Sequence, residues 1–269
     1  MIKNNLLKCV TLPYKTVKGS EMLRHQKACQ FTDKIINNLS GQLDNKGVSL
    51  SKFARKLGKL LPKELSFFVK KNEFTDSYAS LCRVYDNKNY ITSLYLGITP
   101  NTDKKITQLE IPTIAHEIQH LADSLFNPKI LSREQIVTKK GLDTKKMFNF
   151  YDKEIYSLEE FTGKKDKKDI IKIIKNKTKN ILKGLPTKDK IDILQYMRYE
   201  LASEKNAYNA GYKQAKKMNK KNIPIYEDSL NNHKNKYMFD EKIKLLKNMA
   251  FELIKKEREI HKAKLKIKM

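Results

Sequence analysis

No tryptophan occurs in this chain of 269 residues, and glycine, proline and cysteine are sparse at nine, seven and three. So little glycine and proline excludes collagen-like repeats and low-complexity linkers as a major part of the chain. Cys9, Cys29 and Cys82 are odd in number and far apart, which argues against a disulfide framework and a cysteine-built zinc knot. Free thiols in a reducing compartment are the simplest expectation. No stretch approaches the roughly 18 uncharged residues of a membrane span, and the first twenty residues lack the apolar run of a secretory signal. The expected location is therefore cytoplasmic, with signal-less export as an effector left open.

Negative charge is also in short supply: Asp and Glu total 30 against 56 Lys and Arg, a formal net charge of +26. A field of that size attracts nucleic acid or an anionic surface. Only six of the basic residues are arginine, however, and arginine is the side chain suited to bidentate contacts with phosphates and bases. The lysines run through the whole chain among many Asn and Ile residues, as an AT-rich coding sequence dictates. A nucleic-acid or anionic-surface partner is open but not favoured. Aliphatic residues recur throughout, and a 39% hydrophobic fraction in a chain of this length suits a catalytic domain over 1–230 with a basic amphipathic C-terminal helix over 231–269.

Apolar spacing predicts amphipathic helices over 20–39 and Leu50 to Leu61. Tyr78 to Tyr85 and Tyr90 to Ile98 are rich in β-formers, and Asp86-Asn87-Lys88-Asn89 between them reads as the turn of a hairpin. Pro112 suits the first turn of a helix carrying Ile114, Ala115, Ile118, Leu121, Ala122 and Leu125, stopped at Asn127-Pro128. Residues 129–165 read as loops around short helical pieces. A helix over 166–182 ends at Gly184 and Pro186; a long one follows, with Thr187 as its N-cap, toward Ala215; the last runs from about Tyr237 to the basic end. The expected fold class is α+β, helix-dominated, with a small sheet and its β-hairpin packed beside the helix at 112–126.

That helix carries His116-Glu117-Ile118-Gln119-His120. Histidines at i and i+4 project from one helix face a turn apart and can share one metal ion. Glu117 stands about 100° around the helix from His116, close enough to reach a water on that metal without being a ligand. Zinc lowers the pKa of its water to about 7, and the neighbouring carboxylate takes the proton as the hydroxide attacks a carbonyl. Chance placement at this composition yields HExxH in roughly one such chain in 200. The bland reading, two surface histidines on a solvated helix, sits poorly with the apolar residues around them.

The stretch IPTIAHEIQHLAD resembles the HExxH zinc peptidases, the zincins. The resemblance is local. It implies a zincin-like fold, one zinc per chain, a polypeptide substrate, and an edge strand ahead of the HExxH helix that binds substrate in extended form, with Tyr90 to Ile98 in the right order for that role. A plain core or hairpin strand is the alternative.

A catalytic zinc takes three protein ligands and one water. The longer HExxHxxGxxH pattern is absent, since Asp123 stands where its glycine would be and Phe126 where its last histidine would be. Asp123 is about 10 Å along the axis from His116, too far to share its metal. It is either an acceptor behind a metal-bound histidine or a solvated helix residue. Similarity to the glutamate-type zincins, the gluzincins, implies a ligand from a later helix in a Glu-x-x-Ala pattern, which Glu204-Lys205-Asn206-Ala207 matches. Glu200, one turn earlier on the same face, is the rival. For stabilising an oxyanion, Tyr208 is the first candidate, ahead of Tyr212, Arg198 and His233, with plain packing as the alternative role for Tyr208. The expected activity is that of a zinc peptidase with Glu117 as general base. Its rivals are a catalytically inactive zincin-fold structural or regulatory module and a basic nucleic-acid-binding protein with a chance HExxH.

Overall fold

The computed structural model describes residues 20–61, 105–126, 166–226, 230 and 238–263, with backbone alone at 264–267, Phe67–Lys71, Ala79–Asp86 and Asn89–Leu96. The pieces expected between 129 and 165, the chain start and His233 lie outside them. Six α-helices occur among the described residues: α1 (Glu21–Ser40), α2 (Leu50–Leu60), α3 (Ile111–Phe126), α4 (Lys167–Ile181), α5 (Thr187–Asn219) and α6 (Phe239–Ile267). None of these is long and apolar enough to cross a membrane.

The α+β, zincin-like expectation is corrected. Where side chains are described the chain is helical, and every described core residue belongs to a helix or to the segments flanking helices. A sheet does not set the architecture. The backbone between α2 and α3 traces three short strands, β1 (Phe67–Lys71), β2 (Ala79–Asp86) and β3 (Asn89–Leu96), in the order β1-β3-β2. β3 pairs antiparallel with β2 and parallel with β1. The segment expected as a substrate-binding edge is thus the central strand, with both its rows of backbone donors and acceptors engaged, and strand addition there has no free edge to use.

The chain divides into two compact units, one of Met1–Pro128 with Asn206–Asn231, the other of Lys129–Lys205 with Asn232–Met269. α5 is continuous through the division at 205/206.

In the first unit, Ser20 and Ser49 cap α1 and α2 by accepting from the backbone N–H of Leu23 and Lys52. α1 buries Ala28, Thr32, Ile35, Ile36 and Leu39 in an i, i+4 stripe, leaves Met22 and Leu23 at its start exposed, and lies against α3. α2 inserts Phe53 and Leu57, both fully buried. Val48 and Ile106 form an antiparallel bridge. Gly47 holds the turn before it at φ +67, where a Cβ would meet Lys105 Cβ at 2.8 Å, so only glycine fits. Thr107 and Glu110 form a capping box over the 3-10 turn Gln108–Glu110, which runs into α3 with Pro112 in its first turn. All of α3 is buried except Thr113, His116 and Phe126, which are half-buried. At roughly 1.5–3 kcal/mol for each large apolar side chain taken out of water, Ile111, Ile114, Ile118, Leu121 and Leu125 anchor α3 more firmly than helix propensity could.

In the second unit, Asp166 caps α4, whose Ile170, Ile174 and Thr178 form one buried stripe facing α6. Gly184 turns the chain at φ +83 toward α5, and the Lys190 N–H donates to the Pro186 carbonyl, so Pro186 takes the cap position and Thr187, expected as the cap, is the first residue of α5. α6 buries Phe239, Lys242, Leu246, Met249 and Ala250.

Candidate metal centre

α3 supplies the two histidines. His120 is buried and His116 retains 18% of its side-chain exposure. Their Nε2 atoms converge to 3.1 Å with the rings edge to face, centroids 4.9 Å apart. The third member comes from α5: one ligand atom each from His116, His120 and Glu204 lie within 4.8 Å of one another. A tetrahedral ion with bonds of about 2.0–2.1 Å needs its ligand atoms about 3.3 Å apart. The histidine pair already has close to that separation. His116 and Glu204 are half-buried and His120 is buried. Glu200 is not a member; one turn is about 5.4 Å of axis, so only one of the two glutamates can meet so tight a histidine pair.

Glu117 is buried at 6% exposure, its Oε1 4.0 Å from His116 Nε2. It stands beside the histidine pair and outside the ligand group, the position its 100° offset dictates. Tyr208, one turn beyond Glu204, lays its ring edge to face on His116 with centroids 4.6 Å apart. Of the other oxyanion candidates, Tyr212 lies under Lys216, at 4.9 Å, and Arg198 over the Tyr199 ring, at 4.4 Å.

Asp123 is a buried carboxylate, which disposes of the solvated alternative. Its Oδ1 accepts from Gln119 Nε2 at 2.9 Å and its Oδ2 from Asn206 Nδ2 at 3.0 Å. Burial pushes its pKa up, while the two amide donors and the nearby His120 and His25 pull the other way. Ser124 donates to the His120 carbonyl at 2.9 Å.

Two residues that hold α5 against α3 escaped sequence reasoning. Gly211 is packed so closely that a Cβ there would stand 2.9 Å from the Pro112 carbonyl oxygen and 3.7 Å from His116 Cβ. A glycine inside an otherwise helical run was the available signal. Ala207, the small residue of the Glu-x-x-Ala pattern, is fully buried. Asn206 carries no sequence signal at all, because its partner Asp123 is 83 residues away.

No known family, curated protein or solved structure matches the chain.

Proposed function

We propose that the chain is a zinc-dependent peptidase that holds one zinc through His116, His120 and Glu204. The observation that carries the reading is the convergence of these three donors with the buried Glu117 carboxylate at 4.0 Å from His116. Two imidazoles and a carboxylate are a donor set suited to zinc. Zinc held there would supply a water ionised near neutral pH and would polarise a carbonyl oxygen. Glu117 takes the proton of the attacking water as the carbon–oxygen bond forms, and returns it to the amine nitrogen as the carbon–nitrogen bond breaks. Tyr208 packs against His116, and its hydroxyl is our candidate for hydrogen-bonding the developing oxyanion. Peptide is the favoured substrate because the HExxH arrangement of metal and base suits amide hydrolysis. A reducing, cytoplasmic setting is the location that accompanies this reading.

The test pairs metal content with turnover. Protein purified without chelator should carry close to one zinc per chain and cleave an unfolded polypeptide. Glu117→Gln should keep the zinc and lose about 10²-fold or more in hydrolysis. Zinc without cleavage by the wild type would leave a metal-binding module, and equal turnover by the variant would remove Glu117 from the mechanism.

A further inference from the structure

A metal ligand on one helix that serves histidines on another is only as well placed as the two helices are. Two parameters decide where the Glu204 carboxylate stands: the separation of α5 from α3, and the roll of α5 about its own axis. The first is limited by the backbone contact of Gly211 on Pro112. The second needs a contact on the flank of α5, away from the face that carries Glu204, Tyr208 and Gly211.

Asn206 is that flank residue. It lies about 200° around the helix from Glu204 and about 3 Å further along, and it donates to Oδ2 of Asp123. Asp123 is itself clamped, because its other oxygen takes the Gln119 amide and the carboxylate is buried. On the same flank Asp33 of α1 accepts from Lys213 and, at 3.4 Å, from Gln214, but the Asp33–Lys213 pair is substantially exposed and correspondingly weak. The Asn206–Asp123 bond is part-buried, ends on a buried carboxylate and at 3.0 Å is shorter than the Gln214 contact, so it is the stronger restraint. Its leverage is large: with Cα atoms at 2.3 Å from the axis and the carboxylate several ångströms further out, a roll of about 20° moves the ligand oxygens by about 2 Å. Metal ligands tolerate about 0.2 Å.

We propose that the Asp123–Asn206 hydrogen bond is the roll stop that sets Glu204 toward His116 and His120, a positioning role that rests on the metal reading above. Asn206→Asp sets two carboxylates against each other and should weaken zinc binding at least tenfold in a chelator-competition titration, with the helical circular dichroism retained. Adding Asp123→Asn then reverses the polarity of the pair. The new amide accepts from Gln119 through its oxygen and donates to the carboxylate at 206, so both bonds are restored and affinity should return to within about threefold of wild type. Recovery in the exchange variant ties the loss to this one hydrogen bond, and melting temperatures of the zinc-free variants, read alongside, separate a misplaced ligand from a loss of stability. Wild-type affinity in Asn206→Asp, or no recovery in the exchange variant, overturns the proposal. Should Asn206→Asp fail to fold, Asn206→Ala removes one donor and adds no charge; it should lose about threefold or more, and unchanged affinity overturns the role equally. His120→Ala and Glu204→Ala run in parallel: zinc lost from these but kept by the 206 variants sinks the roll stop alone, whereas no zinc in the wild type sinks the metal reading and the positioning role with it.

Discussion

Glu204 and Glu200 occupy one face of one helix, and the histidine pair can use only one of them. Glu204→Ala should weaken zinc binding at least tenfold, since a lost ligand costs no less than the 10- to 100-fold of residues that merely support one. Glu200→Ala should cost less, and competition titrations giving the reverse order would make Glu200 the ligand. Lys242 raises a different matter at this scale. It is fully buried, and burial lowers its ammonium pKa from an ordinary 10.5 to about 8, with Glu241 opposing. Between those values the unfolded chain binds the proton and the folded one does not, so stability rises with pH from about 8 to about 10.5 and the penalty is complete below 8. Lys242→Met should therefore be the more stable protein at pH 7, by up to about 3 kcal/mol at 1.36 kcal/mol for each tenfold shift. Unfolding curves of the two proteins should converge as pH climbs through that window; a constant gap would show that the lysine does not titrate there.

At the scale of the element, α3 and α5 work as a pair. Pro112 meets Gly211, and His116 meets Tyr208, so the helices run antiparallel along their contact. A Gly→Ala change inside a helix ordinarily gains up to about 1 kcal/mol. Gly211→Ala should do the opposite. Its methyl would press on the Pro112 carbonyl at 2.9 Å, and because backbone has to move, the cost should be of the order of 1–3 kcal/mol. Zinc affinity should fall with it as α5 retreats. A higher melting temperature for the variant would mean that the contact is slack and that helix separation is set elsewhere.

For the whole molecule, metal and fold should be linked. The donors sit on α3, the most buried described helix, and on α5. Ligand binding to the folded state alone stabilises by RT ln(1 + [L]/Kd), about 4 kcal/mol at a thousandfold excess over Kd. Chelation should lower the melting temperature by several degrees, zinc should restore it, and His120→Ala should respond to neither. A chelator-insensitive wild type would indicate an empty site. The net charge of +26 acts at this scale too, as a field felt by any polyanion, but a field without arginine-rich contacts gives attraction and little recognition.

How much of this was readable in the chain follows from the range of the interactions. His116, Glu117 and His120 are placed by helix periodicity, a local rule that a sequence states outright, and the apolar spacing of α1 to α6 is equally local. The order β1-β3-β2 is not, because β1 and β3 pair residues 25 apart, Phe67 with Thr92, and their pairing turns an expected edge into a centre. Nor could composition reveal that helices, with no strand in the described core, would make up the architecture. The grouping of Glu204 in preference to Glu200, the closeness allowed by Gly211 and the Asp123–Asn206 bond all depend on the distance and roll between two helices. The sequence by itself determined the histidine pair, its neighbouring carboxylate and the helix that bears them. The Glu-x-x-Ala resemblance put Glu204 ahead of Glu200, but that its carboxylate lies with the pair was decided by tertiary packing, because one turn of helix, about 5.4 Å, separates two chemically identical candidates.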